Sequence, residues 1–253
     1  MLAQSKINFW NNIRQQYSIK TIRLNGLIMY EVCPLCLSIE TKLLYSWHEN
    51  LPNRDFQHCN DCDLVFVPTR FHISEEDQLK RYESHNNDPN DPDYVKFLSR
   101  VLNELKPYIK PESNALDYGS GPGPALAKML HSEGLTVDIY DPFFQPNRSV
   151  LKKKYDIVTC TETAEHFSNP REDFLTLDSI LVRGGYLGIM TSMIKKWDEF
   201  PEWYYHRDPT HISFYSLNTM EWIAGNFSWE LYSPRDHVVL FKKMYNRKLL
   251  IQK

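Results

Sequence analysis

Apolar and polar positions change their period along the chain, and each change predicts a different kind of element. Residues 1–28 hold no clean period and read as an N-terminal arm of unknown role. Residues 29–70 carry short apolar runs punctuated by cysteines, the pattern of a small module of short strands. Across 71–112 the period becomes helical. Ser74 ahead of Glu75, Glu76 and Asp77 marks a helix start with acids at the positive end of the dipole. After the turn-rich HNNDPNDPDY, Asp91 and Pro92 read as N-cap and first helical residue, and Val95, Leu98, Val101, Leu102 and Leu105 keep helical spacing until Pro107 ends it. This stretch is expected to be a helical linker.

From 113 to 253 short apolar runs alternate with helical segments, the sign of βαβ units and a mostly parallel sheet. Strands are expected at 115–118, 135–141 and 155–160, with helices over 124–131 and from Pro170 to about Leu181. Gly184 and Gly185 should turn the chain into a further strand, YLGIMTS, and SWELYSP and HVVLFKKM should close the sheet edge as an antiparallel hairpin. The expected fold class is therefore α/β, a Rossmann-like sheet with a C-terminal antiparallel hairpin, preceded by a small cysteine-bearing β module.

Composition narrows the setting. With 29 basic residues against 32 acids and a net charge of −3, nucleic acid is not the default partner. No apolar run approaches the ~20 residues of a membrane helix, and the first residues lack a secretory signal pattern, so a cytoplasmic protein is expected. Four of the five cysteines form two Cys-x-x-Cys pairs, Cys33 with Cys36 and Cys59 with Cys62. Two such knuckles present four thiolates to one ion, which is the spacing of a closed, structural zinc site, and His58 is a weaker alternative ligand. Cys160, inside an apolar run, reads as a small buried residue.

The chemistry concentrates in LDYGSGPGPALAKML, where a strand runs into Gly119, Gly121 and Gly123 and then a helix. Glycines there allow a sharp turn and close approach of backbone to a ligand, in front of the helix's free N–H groups. Asp141 ends the next strand about 20 residues on, where a ribose would present its hydroxyls. The spacing departs from the dinucleotide fingerprint, and Asp117 ahead of the loop would repel a pyrophosphate while suiting an ammonium and a sulfonium.

These motifs, in this order, resemble the class I S-adenosylmethionine-dependent methyltransferases, in particular the branch called methyltransferase type 23, over about residues 114–244. The resemblance implies a donor site at Asp117, Tyr118, Gly119, Gly121, Gly123 and Asp141, with YDIVTCTETAEHF as the fourth-strand motif. Glu162 of that motif is a further candidate for donor contact and Glu165 a weaker one. His166 at its end is a candidate base, as is His211 in the aromatic PEWYYHRDPTHISFY, where the resembling family closes over its acceptor. Tyr204 and Tyr205 are candidate walls of that site, and Tyr82 could reach the donor. One departure stands out: only PFFQPNRSVLKKK separates Asp141 from the next strand, where the family fits a helix and a third strand. No adenine-contacting residue is assigned there. The acceptor is expected to be a small molecule, with RNA or protein docked by the zinc module as the alternative; Lys152–Lys154 form one basic run, and such runs are usually solvated faces.

Overall fold

A computed structural model describes residues 21–24, 27–48, 53–84 and 87–245, with side chains from residue 31 onward. Most of the expected N-terminal arm lies outside the described residues; β1 (Thr21–Leu24) and β2 (Leu27–Glu31) pair antiparallel.

The main sheet contains β6 (Asn114–Tyr118), β7 (Thr136–Tyr140), β8 (Tyr155–Thr161), β9 (Leu181–Met190), β11 (Trp229–Arg235) and β12 (Val238–Lys243), in the spatial order β11-β12-β9-β8-β6-β7. The first four strands are mutually parallel, and β12 and β11 follow antiparallel, as the hairpin pattern predicts. Successive strand residues face opposite sides, so neighbours split between two cores. Ala115, Ile157 and Met190 pack with Leu98, Val101, Leu102 and Leu105 of α2 (Pro92–Leu105) and Leu126 and Leu130 of α3 (Ala125–Ser132). Leu116, Val158 and Ile189 pack with Phe174, Leu177 and Ile180 of α4 (Pro170–Ile180) and with Met220 and Ile223 of α5 (Leu217–Phe227). Helix α2 thus covers the sheet itself, its apolar stripe buried between the sheet and α3. Each such buried side chain contributes about 2 kcal/mol.

Two details differ from the pattern-based expectation. The pair Gly184 and Gly185 lies inside β9, where the pairing jumps from Tyr155↔Leu181 to Ile157↔Tyr186, so the glycines form a bulge rather than a turn. A Cβ on Gly185 would stand 2.8 Å from the Asp156 carbonyl, which is the contact that requires glycine. Between β7 and β8 the described chain has only the bridge Asp141↔Gln145 and one turn at Val150–Lys152, so β7 is an edge strand and no third parallel strand extends beyond it.

The cysteine segment supplies β3 (Thr41–Trp47), β4 (Arg54–Cys59) and β5 (Val65–Phe66), and β10 (Ser213–Phe214), from far along the chain, completes that sheet in the order β10-β5-β4-β3. Cys33, Leu35, Leu64 and Phe66 share one core with the main sheet. Arg54 fixes the junction. Its side chain is 1% exposed and donates to the carbonyls of Asp208 at 2.9 Å, His211 at 3.2 Å and His206, while Trp47 and Phe56 flank the guanidinium. Burial lowers its pKa to about 10, leaving it charged at neutral pH. Arg54→Ala strands three carbonyls and opens a cavity, so it should lower stability by about 3 kcal/mol, measured by urea unfolding. A loss within experimental error would show the junction is held elsewhere.

Candidate active site

A cleft of about 580 Å³ opens at the carboxyl ends of β6, β7 and β8, the end of an open α/β sheet where ligands bind. Its floor is the glycine loop. Gly119 has φ +82° and Gly121 φ +63°, a region that glycine enters without strain. A Cβ on Gly119 would overlap the Thr163 side chain at 2.2 Å, and one on Gly123 would meet the Asn87 carbonyl at 2.3 Å. Gly119 N–H donates to the Tyr140 carbonyl, tying the loop to the end of β7.

Asp141 organises one wall. One carboxylate oxygen accepts from Gly121 N–H at 3.0 Å and the other from Phe143 and Phe144 N–H at 2.9 and 3.0 Å. Tyr118, Gly119, Gly121, Asp141 and Glu162 line the cleft, whereas Asp117 and Gly123 do not. Asp117 lies beneath the loop, 4% exposed, and accepts from Thr159 Oγ1 at 2.8 Å. Burial raises its carboxyl to about 6, more than the Thr159 bond lowers it.

The opposite wall comes from the turn after β8. Glu162 has φ +48°, a backbone conformation that few non-glycine residues adopt, and burial followed by the neighbouring Glu165 pushes its carboxyl up to about 9. Glu165 is 1% exposed and accepts from Tyr205 Oη at 2.5 Å and Thr191 Oγ1 at 2.9 Å. His166 Nδ1 lies 3.0 Å from the Thr210 carbonyl and His211 Nδ1 2.8 Å from the Tyr205 carbonyl. A carbonyl only accepts, so both Nδ1 atoms carry a proton, and in a neutral imidazole of this tautomer Nε2 keeps the lone pair. The rings meet edge to face with centroids 4.9 Å apart, and burial lowers the His211 pKa to about 4. Residues 203–212, part of the loop expected to cover the site, reach the cleft with His211 and Ile212. Neither expected wall residue lines the cleft: Tyr205 is buried in the carboxylate network behind it and Tyr204 is 67% exposed.

Several lining residues carried no signal strong enough to single them out. Tyr94, Phe97 and Leu98 project from α2, Asn87 from the segment before it, and Phe143 and Phe144 from the turn after Asp141. Tyr82, on α1 (Glu75–Glu83), packs edge to face on His166 and Phe143, both at 5.2 Å. Its neighbour Arg81 donates to Asp208 at 2.8 Å, and Asp208 in turn accepts from the Thr210 amide, so α1 helps to set the carbonyl that orients His166.

In the cysteine module, the ligand atoms of Cys33, Cys36, Cys59 and Cys62 all lie within 4.8 Å of one another. Leu37 and Asp63, each one residue past its second cysteine, have φ +66° and +59° and donate their N–H groups back to Cys33 and Cys59, so the two knuckles share one conformation. His58 is not part of that cluster; its Nε2 meets Asp63 at 2.7 Å. Cys160 is fully buried.

The raised pKa of Asp117 has a consequence for stability. In the folded chain the carboxyl holds its proton up to about pH 6, whereas unfolded aspartate releases it near pH 4. The folded state is therefore penalised as pH rises through that window, by about 3 kcal/mol once the group is ionised. In ligand-free protein Asp117→Asn should unfold at higher urea than wild type at pH 8 and match it at pH 4; equal midpoints at pH 8 would contradict the burial penalty.

Comparison with solved structures finds α/β relatives of low identity. A SAM-dependent methyltransferase from Archaeoglobus fulgidus is 20% identical, covering 54% of this chain and 69% of its own, with TM-score 0.43. A 1,6-didemethyltoxoflavin-N1-methyltransferase from Burkholderia thailandensis, with bound 1,6-didemethyltoxoflavin and S-adenosylhomocysteine, is 10% identical, covering 79% and 99%, with TM-score 0.49. A Methanosarcina mazei SAM-dependent methyltransferase is 13% identical, covering 56% and 97%, with TM-score 0.42. None of the curated proteins matches the chain significantly. The profile of the methyltransferase domain family matches residues 91–233, over half of the chain and including helix α2. The chain belongs to that methyltransferase domain family and is a methyltransferase enzyme.

Proposed function

We propose that the enzyme takes its methyl group from S-adenosylmethionine and passes it to a small-molecule acceptor, with a structural zinc ion in the cysteine cluster. The observation that carries this reading is a single cleft in which the glycine loop and Asp141 face a pair of lone-pair-bearing histidines. The donor supplies a methyl group on a sulfonium, already electrophilic. The chain's residues must hold, align and keep water out. Asp141 accepts one N–H on its Gly121-facing oxygen, leaving acceptor capacity for ribose hydroxyls, and a Cβ on Gly121 would meet only the side-chain amide of Asn87, at 3.6 Å. Asp117 places negative charge beneath the loop, suited to an ammonium. Tyr82 and Tyr94 offer aromatic faces to a cation.

A volume of about 580 Å³ is that of a site for one drug-sized ligand, which favours a small acceptor beside the donor over a macromolecule. His166 and His211 stand on the acceptor side as the groups that hold or receive its proton. Of the basic run, Lys153 is paired with Asp138 at 2.8 Å and Lys154 donates to the Ser179 carbonyl, so little of its charge is free for nucleic acid.

The thiolate geometry suits zinc. Cys33 and Cys62 sulfurs are 3.5 Å apart and those of Cys36 and Cys59 3.4 Å, close to the ~3.8 Å edge of a tetrahedron with bonds of about 2.3 Å. Arg171 lies close enough to offset thiolate charge, and it donates to the Leu35 carbonyl inside the first knuckle. All four positions are sulfur, so the ion's role is to hold the module. Free thiolates and this metal belong in a reducing compartment, in keeping with a cytoplasmic enzyme.

Calorimetry should show S-adenosylmethionine binding that weakens at least about tenfold in Gly119→Val, whose side chain collides with Thr163, and in Asp141→Ala; unchanged affinity in both would place the donor elsewhere. Titrating the cysteine cluster with a mercurial should release one zinc per chain and unfold the module. A chain that stays folded with no zinc to release would remove the zinc assignment.

A further inference from the structure

The histidine pair and Glu165 form a second candidate metal centre. One ligand atom from each of Glu165, His166 and His211 lies within 4.8 Å of the others, on the wall of the cleft that also holds the glycine loop. Each is oriented from behind. His166 Nδ1 is committed to the Thr210 carbonyl and His211 Nδ1 to the Tyr205 carbonyl, so the nitrogens left to coordinate are the two Nε2 atoms. Glu165 is held by Thr191 and Tyr205 hydroxyls, one on each oxygen, and each oxygen keeps acceptor capacity. Histidine ligands fixed through their other nitrogen, and a carboxylate fixed by hydroxyl donors, are what a metal site is built from. Tyr205 serves two of the three ligands at once, with its backbone carbonyl and its hydroxyl. A bare packing role does not call for a buried carboxylate, a buried imidazole and a half-buried one to bring ligand atoms within 4.8 Å of one another, since such a cluster of acceptors is repulsive until a cation or a donor stands between them.

We infer that Glu165, His166 and His211 bind a divalent transition-metal ion that ligates a hydroxyl oxygen of the methyl acceptor. Two imidazoles and one carboxylate suit Mn²⁺, Fe²⁺, Co²⁺ or Zn²⁺ better than Mg²⁺ or Ca²⁺, which prefer all-oxygen sets. Three protein ligands leave open positions for substrate. The acceptor is then a hydroxyl compound. The ion stabilises the oxygen's negative charge as the O–H bond breaks, the proton leaves to solvent and the electron pair stays on oxygen, ready for methylation. With the ion bound, His166 and His211 are ligands and not bases. This inference rests on the cleft being the acceptor site of the proposed methyl transfer.

Mn²⁺ is the probe, because it does not compete for a four-sulfur site. Wild-type protein, dialysed against EDTA with its cysteine-bound zinc confirmed, is titrated with Mn²⁺ and followed by electron paramagnetic resonance. The expected result is one bound Mn²⁺ per chain with nitrogen couplings from two imidazoles. Affinity should fall about ten- to a hundredfold in His211→Ala and Glu165→Gln. No binding at millimolar Mn²⁺, or a bound spectrum free of imidazole coupling, overturns the site and needs no variant to be folded. Calorimetry with S-adenosylmethionine on the same samples separates the two readings. A chain that binds Mn²⁺ but not the donor keeps the metal centre and loses the donor site; the reverse loses the metal centre alone.

Discussion

The buried guanidinium of Arg54 is the interaction on which the histidine side of the cleft depends. It is a charge in the interior with no carboxylate directly against it, neutralised by three carbonyl dipoles from His206, Asp208 and His211. A cation in such a place is stable only if every carbonyl keeps its position, because losing one exposes the desolvation cost of the rest. The covering loop is therefore rigid where it passes Arg54, and His211 inherits that rigidity. From the same loop Thr210 orients His166 and Tyr205 orients Glu165. The cysteine module, far from the chemistry in sequence, thereby sets the geometry of the chemistry.

This arrangement gives the cysteine module a physical role although none of its residues lines the cleft. Strand β5 pairs with β10 immediately after His211, and Ile212 N–H donates to the Glu165 carbonyl. A short strand pair of two residues has little stability of its own. It holds because Phe56, Val65, Phe200 and Phe214 pack as one cluster around it. Thiolate coordination would fix β4 and β5, and through them the loop, so that folding of the module and assembly of the histidine wall of the cleft would be one event.

Features encoded over a few residues were legible in the sequence. The strands of the main sheet, the caps at Ser74 and Asp91, the glycine loop and both cysteine knuckles are read from local pattern and spacing, whereas His166 and His211 are candidates through the family resemblance. The remainder depends on partners distant along the chain. Arg54 lies 157 residues from His211, and β10 is too short to show a period. The glycines at 184 and 185 suit a turn and a bulge equally, and only the approach of the Asp156 carbonyl decides between them. Helix α2 was assigned to a linker because an amphipathic stripe says that a face is buried, not against what. The tyrosine that holds Glu165 was legible only as an aromatic in a loop.

The shortened unit after β7 shows how the cleft survives the loss of a strand. In a longer sheet the next parallel strand would wall off the end of β7. Here Asp141 does that work by turning the chain back at once, its carboxylate accepting from Phe143 and Phe144 N–H while its own amide and carbonyl pair with Gln145. The turn delivers two aromatic rings to the cleft, and Tyr82 from α1 packs against Phe143 to continue the wall as far as His166. Because the same carboxylate also holds Gly121 N–H, the glycine loop and the substitute wall cannot shift independently. A ligand bound at Asp141 is then read by both at once, and the missing strand costs the site a partner for β7 but not its enclosure.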